Sequence, residues 1–400
     1  MSAHYPEKTD IAIVGGGLVG CSLACALERS GLDVVLIEAA AAPETASGFD
    51  QRKLALAARS IETLQQLGVL ERLNTKPAAI ERIHISRVGD FGRVLLKASD
   101  YGHTAFGAVI LAQELGLALS KQVDALKNTK RICPASVIGV TSDNEGATLK
   151  LAGPVHEGIL RARWVIAADG TNSFIRNSSG VGTIEHDYQQ TLFICSVQAE
   201  KSSDGTAYER FSSQGPVAML PMVAGQYGGI CGVANILAES VKQLSDTDFV
   251  DYLQSRFGWR LGKILRVGTR SHYPIKRVLA DQLVAPSVFI IGNAAQTIHP
   301  IGAQGFNLGL RDAICLARVL TESGTSDDAI SRYRASRAED RAQTLAFSDG
   351  LARMTANDSL PVQALRSMGL SALGVLPGLA SGLVTGAMGY RGNMETESMS

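Results

Sequence analysis

Residues 10–38 read DIAIVGGGLVGCSLACALERSGLDVVLIE, and their pattern predicts a strand, a glycine-rich turn, a helix and a second strand in immediate succession. The first strand is expected at Asp10–Val14 and the helix at Leu18–Arg29, with Gly31 ending it. The second strand is expected at Asp33–Glu38. A β-turn-α-β unit of this kind predicts an α/β fold built on a parallel sheet.

The turn of this unit carries the spacing G-x-G-x-x-G, formed by Gly15, Gly17 and Gly20. The first glycine permits the tight turn, the second lets the backbone approach a pyrophosphate, and the third lets helix and strand pack closely. The pyrophosphate would lie at the helix N-terminus, at Leu18, where free N–H groups favour negative charge. Glu38 can accept hydrogen bonds from ribose hydroxyls, which argues against a 2′-phosphate. The unit therefore predicts FAD or NAD binding rather than NADP binding.

Length and composition narrow the class of protein. A chain of 400 residues exceeds what one hydrophobic core usually fills, so we expect two interleaved domains. Hydrophobic residues at 46% with 19% charged residues exclude a disordered chain. Lys+Arg and Asp+Glu are balanced at 38 each, which gives no basic face for a nucleic acid. The six cysteines form no C-x-x-C pair or zinc-type cluster, so no metal site is predicted.

Two later segments point to further contacts with the dinucleotide. Asp169-Gly170 directly follows a predicted strand. Gly292–Asp312 then joins a buried strand to a helix expected at Asn307–Thr321, through a loop rich in glycine. A glycine-rich loop that opens a helix forms a second terminus able to bind an anion or a carbonyl. We therefore expect one extended ligand held at both ends.

The chain resembles the class A flavoprotein monooxygenases with the p-hydroxybenzoate-hydroxylase fold, within the branch that hydroxylates polyprenyl phenols of the ubiquinone pathway. The resemblance rests on Gly15–Gly20, Phe49–Leu56, Ala168–Gly170 and Gly292–Asp312. Residues Ser99–Gly107 are similar to a stretch of 2-polyprenyl-6-methoxyphenol hydroxylases. The resemblance implies that FAD is the dinucleotide.

The resemblance also implies which further residues contact FAD. The 292 segment would wrap the flavin, with its loop after His299 against the isoalloxazine, and Arg52 would lie near the flavin and the incoming pyridine nucleotide. The residues it adds to the opening motif and Glu38 are Arg52, Gln113, Asp169, Asn293, Pro300, Gly302, Gly305 and Asn307. The family has Asp where this chain has Asn293, which loses a charge-assisted bond worth about 1 kcal/mol. A tolerated isosteric change and a weakened or non-catalytic protein are both compatible with that residue.

The predicted domain organisation follows the same resemblance. It is a Rossmann-like FAD-binding domain with an interleaved β-sheet substrate domain and C-terminal helices. The expected boundaries are 1–180 for the first part of the FAD-binding domain, with a hairpin at 80–98, 181–274 for the substrate domain, 275–330 for the second part of the FAD-binding domain, and 331–400 for the C-terminal helical segment.

The chemistry implied is hydroxylation of a polyprenyl phenol. No second G-x-G-x-x-G follows a strand, so NAD(P)H is expected to visit the flavin transiently as a co-substrate. The resemblance implies hydride acceptance, capture of O2 at the flavin C4a and transfer of the distal hydroperoxide oxygen to the ring. A flavin-dependent prenyl reductase and a non-catalytic FAD-binding assembly protein are the alternatives.

No side chain is predicted to be catalytic. The sequence shows no Ser/His/Asp set and no paired carboxylates at informative spacing. His299 precedes a proline in a tight loop, where we expect a structural role. The other histidines considered have no distinctive setting: His84, His103, His186 and His272.

The C-terminal stretch Met368–Tyr390 contains no charged residue. Pro377 interrupts any helix there, while glycines at 374, 378, 382 and 386 form a small-xxx-small series. A helix packed on the enzyme or a partner, a segment on the bilayer surface and a true span are three alternatives. Because the N-terminus shows no signal peptide, we expect a cytoplasmic protein. Because a polyprenyl phenol dissolves in lipid, we expect this protein to be peripherally associated with the membrane or bound to a complex. This tail would contact a membrane surface or a complex of the ubiquinone pathway.

Overall fold

The structure is a computed structural model. It describes residues 6–41, 52–90, 92–143, 145–154, 157–356, 384–386 and 388–389, with the side chains of 351–356 excepted. The alternating and continuous apolar patterns of the sequence become strands of three sheets, and the longer apolar-periodic segments become helices that cover them.

The strands take their numbers in chain order. They are β1 (Lys8–Val14), β2 (Val34–Ile37), β3 (Lys53–Ala57), β4 (Ala78–Ile80), β5 (Arg82–Arg87), β6 (Arg93–Lys97), β7 (Gly107–Leu111), β8 (Thr129–Ile132), β9 (Ser136–Asp143), β10 (Gly146–Ala152), β11 (Gly158–Ala167), β12 (Thr183–Ala199), β13 (Thr206–Phe211), β14 (Val217–Pro221), β15 (Tyr227–Ala234), β16 (Ile264–Val267), β17 (Ser271–Ala280), β18 (Val284–Ala285), β19 (Val288–Ile290) and β20 (Gln296–Thr297).

The α-helices are numbered in the same way. They are α1 (Leu18–Ala26), α2 (Ala58–Gln66), α3 (Ala112–Asp124), α4 (Phe174–Ser178), α5 (Asn235–Lys242), α6 (Asp246–Phe257), α7 (Gln304–Ser323) and α8 (Asp328–Ala356). Short 3₁₀ turns include Gly292–Ala294 and Ile301–Ala303, which both precede α7.

The first sheet, called here the nucleotide sheet, has the strand order β18-β19-β11-β1-β2-β8, with β10 and β9 continuing from β11. Strand β1 lies in its middle and pairs in parallel with β2 and β11, so that Ile11 is opposite both Val34 and Trp164. These central strands are buried on both faces, which explains their unbroken apolar runs. The predicted β-turn-α-β unit at the N-terminus is confirmed.

The second sheet has the order β20-β17-β12-β15-β14-β13-β5-β6, with β16 beside β12. Helix α6 covers one of its faces, where Phe249 and Phe257 pack with Phe193 and Tyr227. We call this the outer face and the opposite one the inner face. The predicted hairpin is confirmed, as β5 and β6.

A small third sheet, β3-β7-β4, packs against the inner face of the second sheet. Ile80 and Val109 of the small sheet share an apolar cluster with Ala207, Leu220 and Ile230 of the second sheet. The small sheet therefore joins the inner face to the rest of the molecule, because its strand β3 leads directly into α2.

Strand pairing assigns two segments to the second sheet that were expected in the FAD-binding domain. The hairpin predicted at 80–98 as part of the FAD-binding segment pairs through β5 with β13, so it is an edge of the second sheet. Residues up to 280 also belong to the second sheet, because β17 pairs with β12 along its whole length. The division into domains remains a prediction.

Parts of the C-terminal tail lie on the body of the protein. Val384 and Met388 are buried in the cluster that joins the small and second sheets, and the amide of Arg59 donates to the carbonyl of Met388. Residues 368–383, 387 and 390 of this stretch lie outside the described residues. Among the helices that the structure describes, none has the length and hydrophobicity needed to cross a bilayer.

Candidate cofactor site

The glycines at the start of α1 differ in the reason each is needed. Gly15 has φ +107°, and a Cβ there would lie 2.4 Å from the carbonyl oxygen of Ala168. A Cβ on Gly20 would lie 1.9 Å from the carbonyl oxygen of Gly15, so this glycine lets α1 pack on β1. A Cβ on Gly17 would meet no atom within 4 Å. Gly17 thus leaves its Cα open to an approaching ligand.

Helix α1 begins at Leu18 with no side-chain cap and no acidic residue in its first turn. Its first N–H groups have no acceptor within the helix, so they carry partial positive charge. Helix α3 packs beside this terminus, because a Cβ on Gly116 would lie 3.6 Å from Cδ2 of Leu18. A pyrophosphate fits this arrangement of donors.

Glu38 follows β2 at the same edge of the sheet as Gly15. Its Oε2 accepts a 2.6 Å hydrogen bond from the amide of Gly16, and its Oε1 accepts one of 2.8 Å from the amide of Ala40. A carboxylate offers about four lone-pair sites, so both oxygens can still accept from ribose hydroxyls. The two amides hold the carboxylate beside the glycine turn, as a ribose-binding role requires.

Asp169 directly follows β11, and its backbone faces Gly15. Its carboxylate is occupied by its own turn, accepting from the hydroxyl of Ser173 and from the amide of Ile175 at 3.1 Å. Asp169 therefore shapes the turn after β11, and any contact it makes with a cofactor has to share these oxygens.

Arg176 joins the turn after β11 to the segment after β19, which lie far apart in the sequence. It is buried, and its Nη1 donates to the carbonyl of Thr171 at 3.0 Å and to the carbonyl of Ala294 at 2.9 Å. The hydroxyls of Thr171 and Thr297 add a second bridge of 2.7 Å. The turn after β11 and the segment after β19 are thus one rigid unit.

The start of α7 is a second helix N-terminus without a side-chain cap or an acidic residue. The chain enters it through two successive left-handed residues, Gly302 at φ +71° and Ala303 at φ +52°, after Pro300. A Cβ on Gly305, in the first turn, would meet no atom within 4 Å. Like Gly17, Gly305 leaves the backbone open to a ligand.

The two helix termini are held close together. A Cβ on Gly309 of α7 would lie 2.8 Å from Cγ2 of Val19 of α1 and 3.2 Å from Cα of Gly292. Glycine at 309 is therefore required for α7, α1 and the 292 turn to meet. The expectation of one ligand held at both ends is compatible with this contact.

Asn307 has all its side-chain hydrogen bonds within the protein. Its Oδ1 accepts from the amide of Ala57 at 3.0 Å and from the hydroxyl of Ser60 at 2.7 Å. Its Nδ2 donates to the carbonyls of Ala55 and Ala303. The side chain predicted to bind FAD thus fastens the α7 loop to β3, and a contact of Asn307 with FAD remains a prediction.

Asn293 and His299 lie in the loop between β19 and α7. Asn293 is exposed at the carboxyl edge of the nucleotide sheet, next to Gly292. His299 is buried, its Nδ1 accepts from the amide of Ile301 at 3.1 Å, and burial lowers its pKa to about 4. A neutral imidazole that holds its own loop agrees with the structural role expected for His299.

Arg52 and Gln113 are brought together by pairing within the small sheet. The amide of Ala112 donates to the carbonyl of Arg52 at 2.9 Å, and Gln113 is the next residue, in the first turn of α3. Helix α3 contacts Leu18 through Gly116, three residues after Gln113, so the first turns of α3 lie beside the α1 terminus. Their contact with a cofactor remains a prediction.

A buried charge network holds the 292 turn to α7 and α8. Asp312 accepts from the amide of Gly292 at 3.1 Å, from Gln296 at 2.5 Å and from Arg337 at 2.8 Å. Arg337 is 1% exposed and also pairs with Asp340 at 2.6 Å. Asp340 pairs with Arg311, and the arginines hold its pKa at about 2 against the effect of burial.

The second sheet brings one carboxylate towards the α7 loop. Cross-strand partners form a row on its inner face, in the order Ile85, Glu209, Ala218, Ile230 and Ile194. Glu209 is the only ionisable member. Burial raises its pKa, and a hydrogen bond from the amide of Gly302 acts in the opposite direction. The row therefore faces the loop that opens α7.

The structure adds two residues that sequence reasoning missed, Arg176 and Glu209, and it gives a packing role to Gly309 of the predicted glycine-rich loop. Arg176 could have been found from the sequence, because it lies only seven residues after Asp169. No local signal marked Glu209, because its position depends on the pairing of β13. Among the described residues, no group of three or more acidic, histidine or cysteine side chains could hold a metal.

A Rossmann-type sheet with two open helix termini at its switch point defines a dinucleotide-binding protein of the flavoprotein type. The chain belongs to the FAD binding domain family, whose model matches residues 8–348. FAD is accordingly its cofactor, and the predicted fold class is confirmed.

Similar proteins agree with this assignment. Ubiquinone hydroxylase UbiL of Rhodospirillum rubrum is 32% identical over 378 residues, covering 92% of this chain and 86% of the relative. The 3-demethoxyubiquinol 3-hydroxylase of Escherichia coli is 29% identical, covering 92% of this chain and 95% of the relative. The p-nitrophenol 4-monooxygenase PnpA from Pseudomonas putida superposes with a TM-score of 0.80 at 18% identity, covering 97% of this chain and all of the other, which shows the shared fold.

Proposed function

We propose that the protein is an FAD-dependent monooxygenase that hydroxylates the aromatic ring of a polyprenyl phenol in ubiquinone biosynthesis. NAD(P)H would supply two electrons and O2 two oxygen atoms, one entering the ring and the other leaving as water. Two relatives named for ubiquinone or demethoxyubiquinol hydroxylation, each matching 92% of the chain, support this substrate class. The observation that carries the proposal is the row on the inner face of the second sheet, which faces the loop opening α7.

The residues of the nucleotide sheet bind and orient the cofactor in this proposal. The N–H groups at the start of α1 would hold the pyrophosphate, and Glu38 the ribose. The N–H groups at the start of α7, held by Gly302 and Asn307, would face the ring system. FAD, when bound, supplies the hydride-accepting and oxygen-activating chemistry.

The inner face of the second sheet would bind the phenol. Ile85, Ala218, Ile230 and Ile194 offer an apolar surface for the ring and exclude water from it. Glu209 keeps part of its surface accessible although it lies deep in the protein, as a side chain lining an internal space does. In this proposal the Glu209 carboxyl hydrogen-bonds to the phenol hydroxyl and fixes which ring carbon faces the flavin.

We also propose that the protein meets its lipid-dissolved substrate at a membrane surface or in a complex of the ubiquinone pathway. The buried positions of Val384 and Met388 support packing on the enzyme itself for that part of the tail. Deleting the residues after Leu365 tests the tail as the contact. Loss of liposome flotation or of partner pull-down, with the protein still folded, supports it, whereas survival of both contradicts it.

The test of the activity begins with the absorbance spectrum of the purified protein after reconstitution with FAD. A yellow protein that oxidises NAD(P)H only with a prenylated phenol and O2, and that adds one ¹⁸O atom from ¹⁸O2 to the ring, supports the hydroxylase. NAD(P)H oxidation with saturation of a prenyl double bond indicates a reductase instead. A colourless, inert preparation indicates the non-catalytic alternative that Asn293 suggests.

A further inference from the structure

Buried polar atoms without partners gather at one corner of the second sheet, on its outer face. Among the described residues, twelve buried side-chain nitrogen or oxygen atoms have no hydrogen-bond partner, and five of them belong to this corner. They are both ring nitrogens of His84, the hydroxyl of Ser86, and the Nε atoms of Arg210 and Arg260. Each such atom costs about 1–3 kcal/mol when left unpaired, so their concentration points to a ligand that pairs with them.

Strand register places these side chains on one face. Ser86 of β5 is the partner of Arg93 on β6 and of Arg210 on β13, and cross-strand partners project to the same side. Two residues earlier in β5, on the same face, His84 is the partner of Tyr208, and the centroids of their rings are 5.6 Å apart. His84 and Ser86 are 7% and 4% exposed, so both are almost fully enclosed. A small buried hydroxyl thus lies between two arginines.

A third arginine reaches this corner from the end of α6. A Cβ on Gly258, which ends α6, would lie 3.8 Å from Cζ of Arg210, so Arg260 two residues later belongs to the same corner. Burial and then the charge of Arg260 lower the pKa of His84 to about 4, and Arg93 and Arg210 act in the same direction. Burial, followed by the charges of Arg210 and Arg93, also lowers the pKa of Arg260. Three guanidinium groups therefore repel one another here.

No acidic side chain neutralises them among the described residues. Asp204, which precedes β13, pairs with Arg82 at 2.8 Å. Glu209 follows Tyr208 in the strand and so projects to the inner face. The corner keeps an excess of positive charge in a protein whose formal net charge is zero.

We propose that this corner, formed by His84, Ser86, Arg93, Arg210 and Arg260, binds the phosphate group of an anionic ligand. The Ser86 hydroxyl, a His84 ring N–H and the two Nε–H groups are separate donors that suit the several oxygens of a phosphate. The three guanidinium charges suit a phosphate better than a singly charged carboxylate. No part of this proposal depends on the hydroxylation reaction.

Two sources of the phosphate share this chemistry: free phosphate and a phospholipid headgroup. Trp259 and Leu95 flank the corner and are 70% and 44% exposed. An exposed tryptophan beside cations is typical of surfaces that meet lipid headgroups. The experiment therefore measures both sources on the full-length protein loaded with FAD.

Binding of inorganic phosphate is measured by isothermal titration calorimetry. Binding to lipid is measured by flotation with phosphatidylcholine vesicles, with and without phosphatidylglycerol. The variants are Ser86→Ala and Arg260→Gln, and Arg29→Gln is the matched control, because Arg29 is an exposed arginine beyond α1 with the same charge. The variants should keep their FAD absorbance, since Arg260→Gln removes repulsion rather than a pairing.

The proposal expects wild type and Arg29→Gln to bind phosphate, phosphatidylglycerol vesicles or both, with Arg260→Gln weakened at least about tenfold and Ser86→Ala weakened less. Binding of free phosphate alone assigns the site to a soluble phosphate, and binding of the anionic vesicles alone assigns it to a headgroup. Wild type that binds neither overturns the proposal. Equal binding by Arg260→Gln and wild type, or an equal loss in Arg29→Gln, overturns it as well.

Discussion

Replacing Gly17 with alanine separates the binding of FAD from the folding of the protein. Gly17 has φ −71° and ψ −174°, a conformation that alanine adopts without strain, and the added methyl group would meet no protein atom within 4 Å. Alanine is a poorer N-cap residue than glycine, which lowers the free energy of unfolding by about 0.5–1 kcal/mol. Alanine also lowers the conformational entropy of the unfolded chain, which raises the free energy of unfolding by a similar amount. The free energy of unfolding of the apoprotein should therefore change by less than about 1 kcal/mol.

The affinity for FAD should change much more than the free energy of unfolding. The new Cβ extends about 1.5 Å from Cα, which would push a pyrophosphate at the α1 terminus away by more than about 1 Å. Hydrogen bonds from N–H groups near 2.9 Å are lost at about 4 Å. Losing two charge-assisted bonds, at about 1.5 kcal/mol each, raises the Kd for FAD about 100-fold.

The assay combines urea unfolding of the apoprotein with a fluorescence titration of FAD. Gly20→Ala is the structural contrast, because its Cβ would lie 1.9 Å from the carbonyl oxygen of Gly15 and should lower stability as well as affinity. Gly350→Ala is the contrast for affinity: its Cβ in α8 also meets no atom within 4 Å, so the Kd for FAD should stay unchanged, while helix propensity should raise stability by about 0.5–1 kcal/mol. An unchanged Kd for FAD in Gly17→Ala would refute the placement of the pyrophosphate at this terminus.

Three further predictions concern charges. Asn293→Asp should tighten FAD by about 1 kcal/mol, about fivefold, and an unchanged or weaker Kd in the same titration contradicts the contact of residue 293 with FAD. Since burial raises the pKa of Glu209, the native state favours its protonated form, and the stability this form contributes is lost as pH rises through the raised pKa. Glu209→Gln should therefore match wild type in urea unfolding near pH 4 and exceed it near pH 8, and parallel curves at both pH values count against the buried carboxyl. Arg337→Met should cost about 3–5 kcal/mol because it leaves Asp312 and Asp340 with too little positive charge. The matched change is Arg332→Met, on the same helix α8. Arg332 forms an exposed pair with Glu322 of α7, so this change should cost less than about 1 kcal/mol, and equal losses would contradict the role of burial.

Local patterns made the opening unit predictable from sequence. Gly15, Gly17 and Gly20 act within one turn, and the apolar runs of β1 and β2 are continuous because both faces of these strands are buried. The start of α7 was expected at Asn307 and lies at Gln304, because two left-handed residues open the helix one turn earlier than its apolar period indicates.

Features that depend on distant pairing could not be predicted. The sequence of the 80–98 hairpin shows two strands but not that β5 pairs with β13, more than 100 residues later. Glu209 shares its row with four apolar residues that lie on four other strands, so no local period reveals it. The buried pairing of Asp312 with Arg337 likewise needs α7 and α8 to be packed together.

The parallel core of the nucleotide sheet has a consequence for the order in which the protein matures during synthesis. Strand β19 pairs with β11 at Val288 and Val165, although 123 positions separate these residues along the chain. At about 5–20 residues per second, a ribosome needs on the order of 10 s to supply β19 after β11. Until then residues 165–167 of β11 keep one apolar edge unpaired, the kind of surface that chaperones bind. Flavin capture should therefore come late in translation, after the chain has been made through α7.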